Sequence, residues 1–165
     1  MKEKENKLSI EKEVKKVLLD GKTQEGTYNF LKNRVTDVGF IDKVTDYLPN
    51  NIREKNKYFN YLIILLLLVN VILNFNILVI LTSFIMYFFL KEMSGYGYRI
   101  LLWFVFLNIV YIYFTVSMSY FTYIRIILWG LLGLTSFIFY KRVFRNKTIT
   151  GKTKTDQNGD YIFID

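Results

Sequence analysis

Neither cysteine nor histidine occurs in the 165 residues, and proline occurs once. Without cysteine there is no disulfide framework, no thiolate nucleophile and no cysteine-ligated metal. Without histidine the commonest general base and the commonest transition-metal ligand are both missing. Ser-His-Asp catalysis, Cys-His catalysis and the usual zinc sites are therefore excluded. An enzyme would have to work with Lys, Tyr, Asp or Glu, and nothing in the sequence clusters them, so the chain reads as non-enzymatic and without a cofactor or metal. Abundant Lys, Asn, Ile, Phe and Tyr suggest an AT-rich coding genome and a bacterial or phage source.

What is present is segregated. Hydrophobic residues make up 52% of the chain. They crowd into Tyr58–Leu90 and Ile100–Tyr140, while residues 1–57 and 141–165 hold nearly all the charge. A water-soluble core interleaves apolar and polar residues at helical or strand period; this pattern belongs to a chain whose middle uses lipid as its solvent. The start, Met1 to Lys7, has no apolar run behind it of the kind a signal peptide needs, and is expected to remain cytoplasmic.

Tyr58–Leu90 is 33 residues without a charge, about 50 Å as helix against a hydrocarbon core of about 30 Å. Two short spans fit, with a turn at Asn74-Phe-Asn76. Ile100–Tyr140 is 41 residues with the single charge Arg125, about 60 Å as helix and again two spans. The break is expected at Ser117-Met-Ser-Tyr120. The expected fold is an all-α polytopic membrane protein, a four-transmembrane-helix bundle with spans near 58–74, 76–91, 100–116 and 121–140.

Basic residues flank these spans on alternate ends: Lys43, Arg53, Lys55 and Lys57, then Lys91 and Arg99, then Lys141, Arg142, Arg145 and Lys147. With four spans every cluster falls on one side, which predicts a cytoplasmic (inner) membrane protein with both ends in the cytoplasm. Tyr58, Tyr61, Tyr87, Tyr96, Tyr98 and Tyr140 are expected at the cytoplasmic headgroups, and Tyr111, Tyr113, Tyr120 and Tyr123 at the outer ones.

Residues 1–57 read as a cytoplasmic segment of amphipathic helices. The first covers about 3–18, with Leu8, Ile10, Val14, Val17 and Leu18 on one face and Gly21 as its stop. The second covers about 23–38, with Tyr28, Leu31, Val35 and Val38 inward, and a third, short one carries Ile41, Val44, Tyr47 and Leu48 ahead of Pro49. Thirteen Lys and Arg against ten Asp and Glu over residues 1–57 is too even for a nucleic-acid surface. In the basic tail, 141–165, Asn158-Gly159 between β-prone runs predicts a hairpin. Asp156-Gln-Asn158-Gly-Asp160 resembles a calcium loop only superficially: its glycine comes two places early and no glutamate closes the ligand set.

Ser94-Gly-Tyr-Gly97 contains the Gly-Tyr-Gly of a potassium filter, but Lys91 and Glu92 leave no room for a pore helix; a plain flexible loop is expected. Polar residues within the spans are the candidate pore or helix-packing positions, because lipid makes them costly: Asn70, Asn108, Arg125, Thr135 and Ser136. Interhelical hydrogen bonding is the default role for the uncharged ones, and snorkelling toward headgroups for Arg125, near Tyr111, Tyr120 and Tyr123. Gly130-Leu-Leu-Gly133 makes a small-residue notch for a neighbouring helix. The favoured function is an anchor, accessory or regulatory subunit that engages the bilayer and a cytoplasmic protein partner. The alternatives are a homo-oligomeric pore or membrane-perturbing effector, and a small transporter.

Overall fold

The computed structural model describes every residue except 1, 34, 36–38, 75, 116–118 and 165. Among the described residues it is helical, with seven helices and no strand: α1 (Lys2–Leu19), α2 (Gln24–Leu31), α3 (Phe40–Asp46), α4 (Asn50–Asn74), α5 (Ile77–Lys91), α6 (Gly95–Thr115) and α7 (Tyr120–Val143). Three of them, α4, α6 and α7, are long and apolar enough to cross a membrane, which marks the chain as a transmembrane-helix protein. The fourth apolar helix, α5, has 15 residues and so spans only about 22 Å. Half of the turn expected between the last two spans, residues 117 and 118, lies outside those described, as do Phe75 and Val38.

The chain divides into two compact units, residues 1–56 with 144–165, and residues 57–143. In the first, the apolar faces of α1, α2 and α3 meet. Val14, Leu18, Leu31, Phe40 and Val44 are buried together, with Ile10, Tyr28, Val35 and Tyr47 packed against them. Burial of each large side chain contributes about 2 kcal/mol. Gly21 follows α1 with φ 94°, the left-handed conformation that suits glycine after a helix. Thr23 starts α2, its side chain accepting the Gly26 N–H at 3.0 Å. The second helix is shorter than its sequence suggests, ending at Leu31 rather than near 38.

The tail belongs to this same unit. It makes two isolated antiparallel bridges, Lys147 with Thr153 and Thr155 with Tyr161. Between the second pair the Asp156 carboxylate accepts the N–H groups of Asn158 and Asp160 at 2.8 and 2.9 Å, and Gly159 takes φ 87°. That carboxylate is therefore spent on shaping its own turn.

In the second unit α6 pairs most extensively with α7, and α5 packs on α6. The Gly-Tyr-Gly segment is not a loop. It forms the first turn of α6, capped by Ser94, whose hydroxyl accepts the Gly97 N–H at 3.1 Å. Glycine is required at 97 because a Cβ there would stand 2.8 Å from the Phe89 Cβ and 3.0 Å from its carbonyl oxygen on α5. Gly133 likewise seats against Val105 of α6, 3.0 Å from where its Cβ would be, whereas a Cβ on Gly130 would meet nothing within 4 Å. Half of the notch thus serves a neighbour in the same chain. Large apolar side chains such as Leu65, Ile72, Phe84, Trp103 and Phe114 are exposed on this unit.

Candidate functional site

The polar residues of the apolar helices have distinct fates. Asn70 is fully buried. Its amide donates to the Leu66 carbonyl of its own helix at 2.8 Å and toward the Leu128 carbonyl of α7 at 3.3 Å, joining α4 to α7. Thr135 folds its hydroxyl back on the Leu131 carbonyl at 2.8 Å, while Ser136 is buried with no hydrogen-bond partner among the described residues. These three positions do not converge.

Asn108 and Arg125 do converge. They line a cleft of about 300 Å³ together with Asn74, Asn76 and Tyr111, with Ile77, Val79 and Ile112 completing the wall. Four helix ends or near-ends supply it: the end of α4, the start of α5, the last two turns of α6 and the second turn of α7. Asn74 and Asn108 each donate one amide N–H within their own helix, to the Asn70 carbonyl at 2.7 Å and the Phe104 carbonyl at 2.8 Å. The Arg125 guanidinium lies 4.8 Å from the centre of the Phe121 ring, not over the tyrosines that its sequence neighbourhood suggests. Its Nε is buried and makes no hydrogen bond among the described residues.

A second polar cluster of this unit joins α4, α5 and α6. Asn60 donates to the Leu90 carbonyl at 3.0 Å and accepts the Tyr98 hydroxyl. Tyr98 packs on Phe139 at 4.7 Å between ring centres, and Arg99 donates to the Tyr140 hydroxyl at 3.3 Å. Tyr98 and Tyr140, expected in a headgroup belt, are buried inside the protein. The belt argument assigns a tyrosine by its distance along the helix, and burial is decided by its angle around it.

The first unit is stitched by two buried polar centres that the sequence does not announce. Gln24 of α2 is fully buried. Its amide nitrogen donates to the Tyr47 and Thr45 carbonyls at 2.8 and 3.4 Å, and its oxygen accepts the Asn146 side chain at 3.1 Å and the Ile164 N–H at 3.0 Å. Four bonds satisfy the whole amide. Lys147 is the second centre. Its ammonium is enclosed, donating to the Asp42 and Gly151 carbonyls at 2.7 and 2.9 Å and lying 3.3 Å from the Asp46 carboxylate. The Thr153 N–H and hydroxyl both donate to the Asp42 carboxylate at 2.7 Å. In the sequence Lys147 is one more basic residue flanking a span; in the fold it binds the tail to α3.

This unit also carries an open groove of about 540 Å³ lined by Glu25, Tyr28, Asn29, Gly159, Asp160, Tyr161 and Phe163. Tyr28 meets Tyr161 edge to face at 6.1 Å and Phe163 at 5.6 Å. Two carboxylates and three rings make a wall suited to a cation with an apolar stem. No family model matches the chain, and no curated protein or solved structure is found that matches it.

Proposed function

We propose that the chain crosses the cytoplasmic membrane four times and serves as a non-enzymatic anchor, accessory or regulatory subunit, presenting a folded cytoplasmic platform to a protein partner. One observation carries this reading: residues 1–56 and 144–165 share one folded unit. An odd number of crossings would put Gln24 and Asn146 in different compartments and break the bonds between them. An even count keeps them together, and α5 crossing with α4, α6 and α7 would make it four. Its 15 residues fall short of a hydrocarbon core of about 30 Å, which local thinning of the bilayer accommodates at modest cost. Lys91 at the end of α5, Arg99 near the start of α6, and Lys141 and Arg142 in the last turn of α7 with Arg145 beyond it favour the cytoplasm for the shared side. The tail adds a hairpin-like turn at Asn158-Gly159 to that platform.

The groove beside α2 supplies the recognition chemistry. A Lys or Arg side chain from a partner would place its charge against Glu25 and Asp160 and its stem along Tyr28 and Tyr161. Purification of the full chain from its native cells in mild detergent is expected to recover a partner in stoichiometric amount, with recovery reduced by Asp160→Lys and by Tyr161→Ala. Recovery of the free chain alone would defeat the proposal.

The Asn108–Arg125 cleft gives the second reading, a homo-oligomeric pore with Arg125 at one mouth, its only specific support. Asn70, sealed between α4 and α7, takes no part in such a conduit. Liposomes that release dye when reconstituted with the chain would favour the pore over the platform.

A further inference from the structure

We infer that the cleft at Arg125 is a binding site for a phosphate group. Arginine stays ionised in any protein setting, and Tyr58–Leu90 and Ile100–Tyr140 contain no Asp or Glu. The cation therefore has no carboxylate partner within its own apolar segments. Its Nε is removed from solvent and makes no hydrogen bond to a described residue, its guanidinium has the Phe121 ring but no ionic partner among the described residues, and a cation without a counter-charge beside lipid is costly. An anion from outside the chain resolves that cost.

The lining selects the kind of anion. Guanidinium offers a planar fork that matches phosphate oxygens two at a time. Asn74 and Asn108 have each committed one amide N–H to their own helices, so each retains a second. Both residues line the cleft with Arg125, and Asn76 and Tyr111 add polar wall. None of the described lining residues is acidic. At about 300 Å³ the cleft stands at the small end of ligand pockets, roomy enough for a phosphate with a short substituent. Phosphate reaches such a place from two sources, as the free ion or a soluble phosphate ester, or as the headgroup of a phospholipid.

The test uses the full chain purified in a neutral maltoside detergent, with thermal unfolding as the readout. Sodium phosphate is titrated against sodium chloride at equal ionic strength. In parallel arms the micelles are doped with phosphatidylglycerol or with an uncharged glycolipid. A rise in melting temperature with phosphate assigns the free ion; a rise with phosphatidylglycerol alone assigns the headgroup. In either case Arg125→Gln is expected to weaken binding about tenfold or more, and Arg125→Lys to fall between, because it keeps the charge and loses the fork. If Arg125→Gln does not fold, Asn108→Ala retains the cation and removes one donor, and is expected to weaken binding about three- to tenfold. Thr135→Val, outside the cleft, leaves the response unchanged. A wild-type chain indifferent to both probes overturns the site, and so does a response that survives Arg125→Gln or Asn108→Ala intact.

Discussion

In the unit formed by residues 1–56 and 144–165, the buried Gln24 amide makes four hydrogen bonds and the enclosed Lys147 ammonium is held by two carbonyls and the Asp46 carboxylate. In the unit formed by residues 57–143, Asn70 Oδ1, Ser83 Oγ, Arg125 Nε, Trp129 Nε1 and Ser136 Oγ are buried with no such partner among the described residues; in the first unit Asn146 Oδ1 alone among the described residues shares that condition. One unit is specified by directional polar bonds between distant segments. The other has such bonds too, at Asn60 with Tyr98 and Asn70 with the Leu128 carbonyl, but leaves more of its buried polar atoms unpaired and adds close approaches such as Gly97 on Phe89 and Gly133 on Val105. A unit of this size has a small apolar core and gains from fully satisfied polar links. Helices in lipid gain no hydrophobic drive from pairing, so fit between surfaces takes its place.

Substitutions test that contrast in order of expected size. Lys147→Ala removes the ammonium and with it its bonds to the Asp42 and Gly151 carbonyls and its ion pair with the Asp46 carboxylate. Asp46 is partly exposed, so the loss is expected near the low end for a broken buried pair, about 3 kcal/mol. Faster proteolysis of the tail in the full chain would report it. Gln24→Ala is expected to cost about 2 kcal/mol, since the four bonds of a buried amide are lost. Hydrogen exchange at the Ile164 amide should quicken, because that N–H loses its acceptor. Neither change should alter resistance of residues 57–143 to denaturing detergent.

The second unit should respond to volume instead. Gly97→Ala drives a methyl group into Phe89; overpacking of about 1–3 kcal/mol less the helix propensity gained leaves about 1 kcal/mol lost. Gly130→Ala meets open space and is expected to be neutral or to stabilise by up to about 1 kcal/mol. Detergent-unfolding curves of the pair distinguish steric fit from a general intolerance of change. Equal losses at 97 and 130 would remove shape as the explanation.

Much of the second unit was legible because its signals are local. Charge-free runs mark apolar helices by composition, and the polar Asn74 and Asn76 do flank the boundary between α4 and α5. The convergence of Asn108 with Arg125 was half legible: each is conspicuous in an apolar run, but their meeting depends on helix rotation, which periodicity does not resolve when every face is apolar. The same blindness put Tyr98 and Tyr140 in a headgroup belt. The stitching of the first unit was not legible at all. Gln24 reaches Asn146 and Ile164 across 122 and 140 residues, and a lysine in a basic run looks the same whether it flanks a membrane or fills a core. The Val14, Leu18, Leu31 and Val44 stripes marked the apolar faces of α1, α2 and α3 but not what would cover them.

The lack of cysteine allows the central claim, that both flanking segments share one compartment, to be tested with a single label at a time. Asp20→Cys, Tyr120→Cys and Gln157→Cys each place one thiol at an exposed position. With a membrane-impermeant maleimide on intact cells, Tyr120→Cys is predicted to react, and Asp20→Cys and Gln157→Cys to react only after permeabilisation. Labelling of Asp20→Cys and Gln157→Cys from opposite sides would contradict the account.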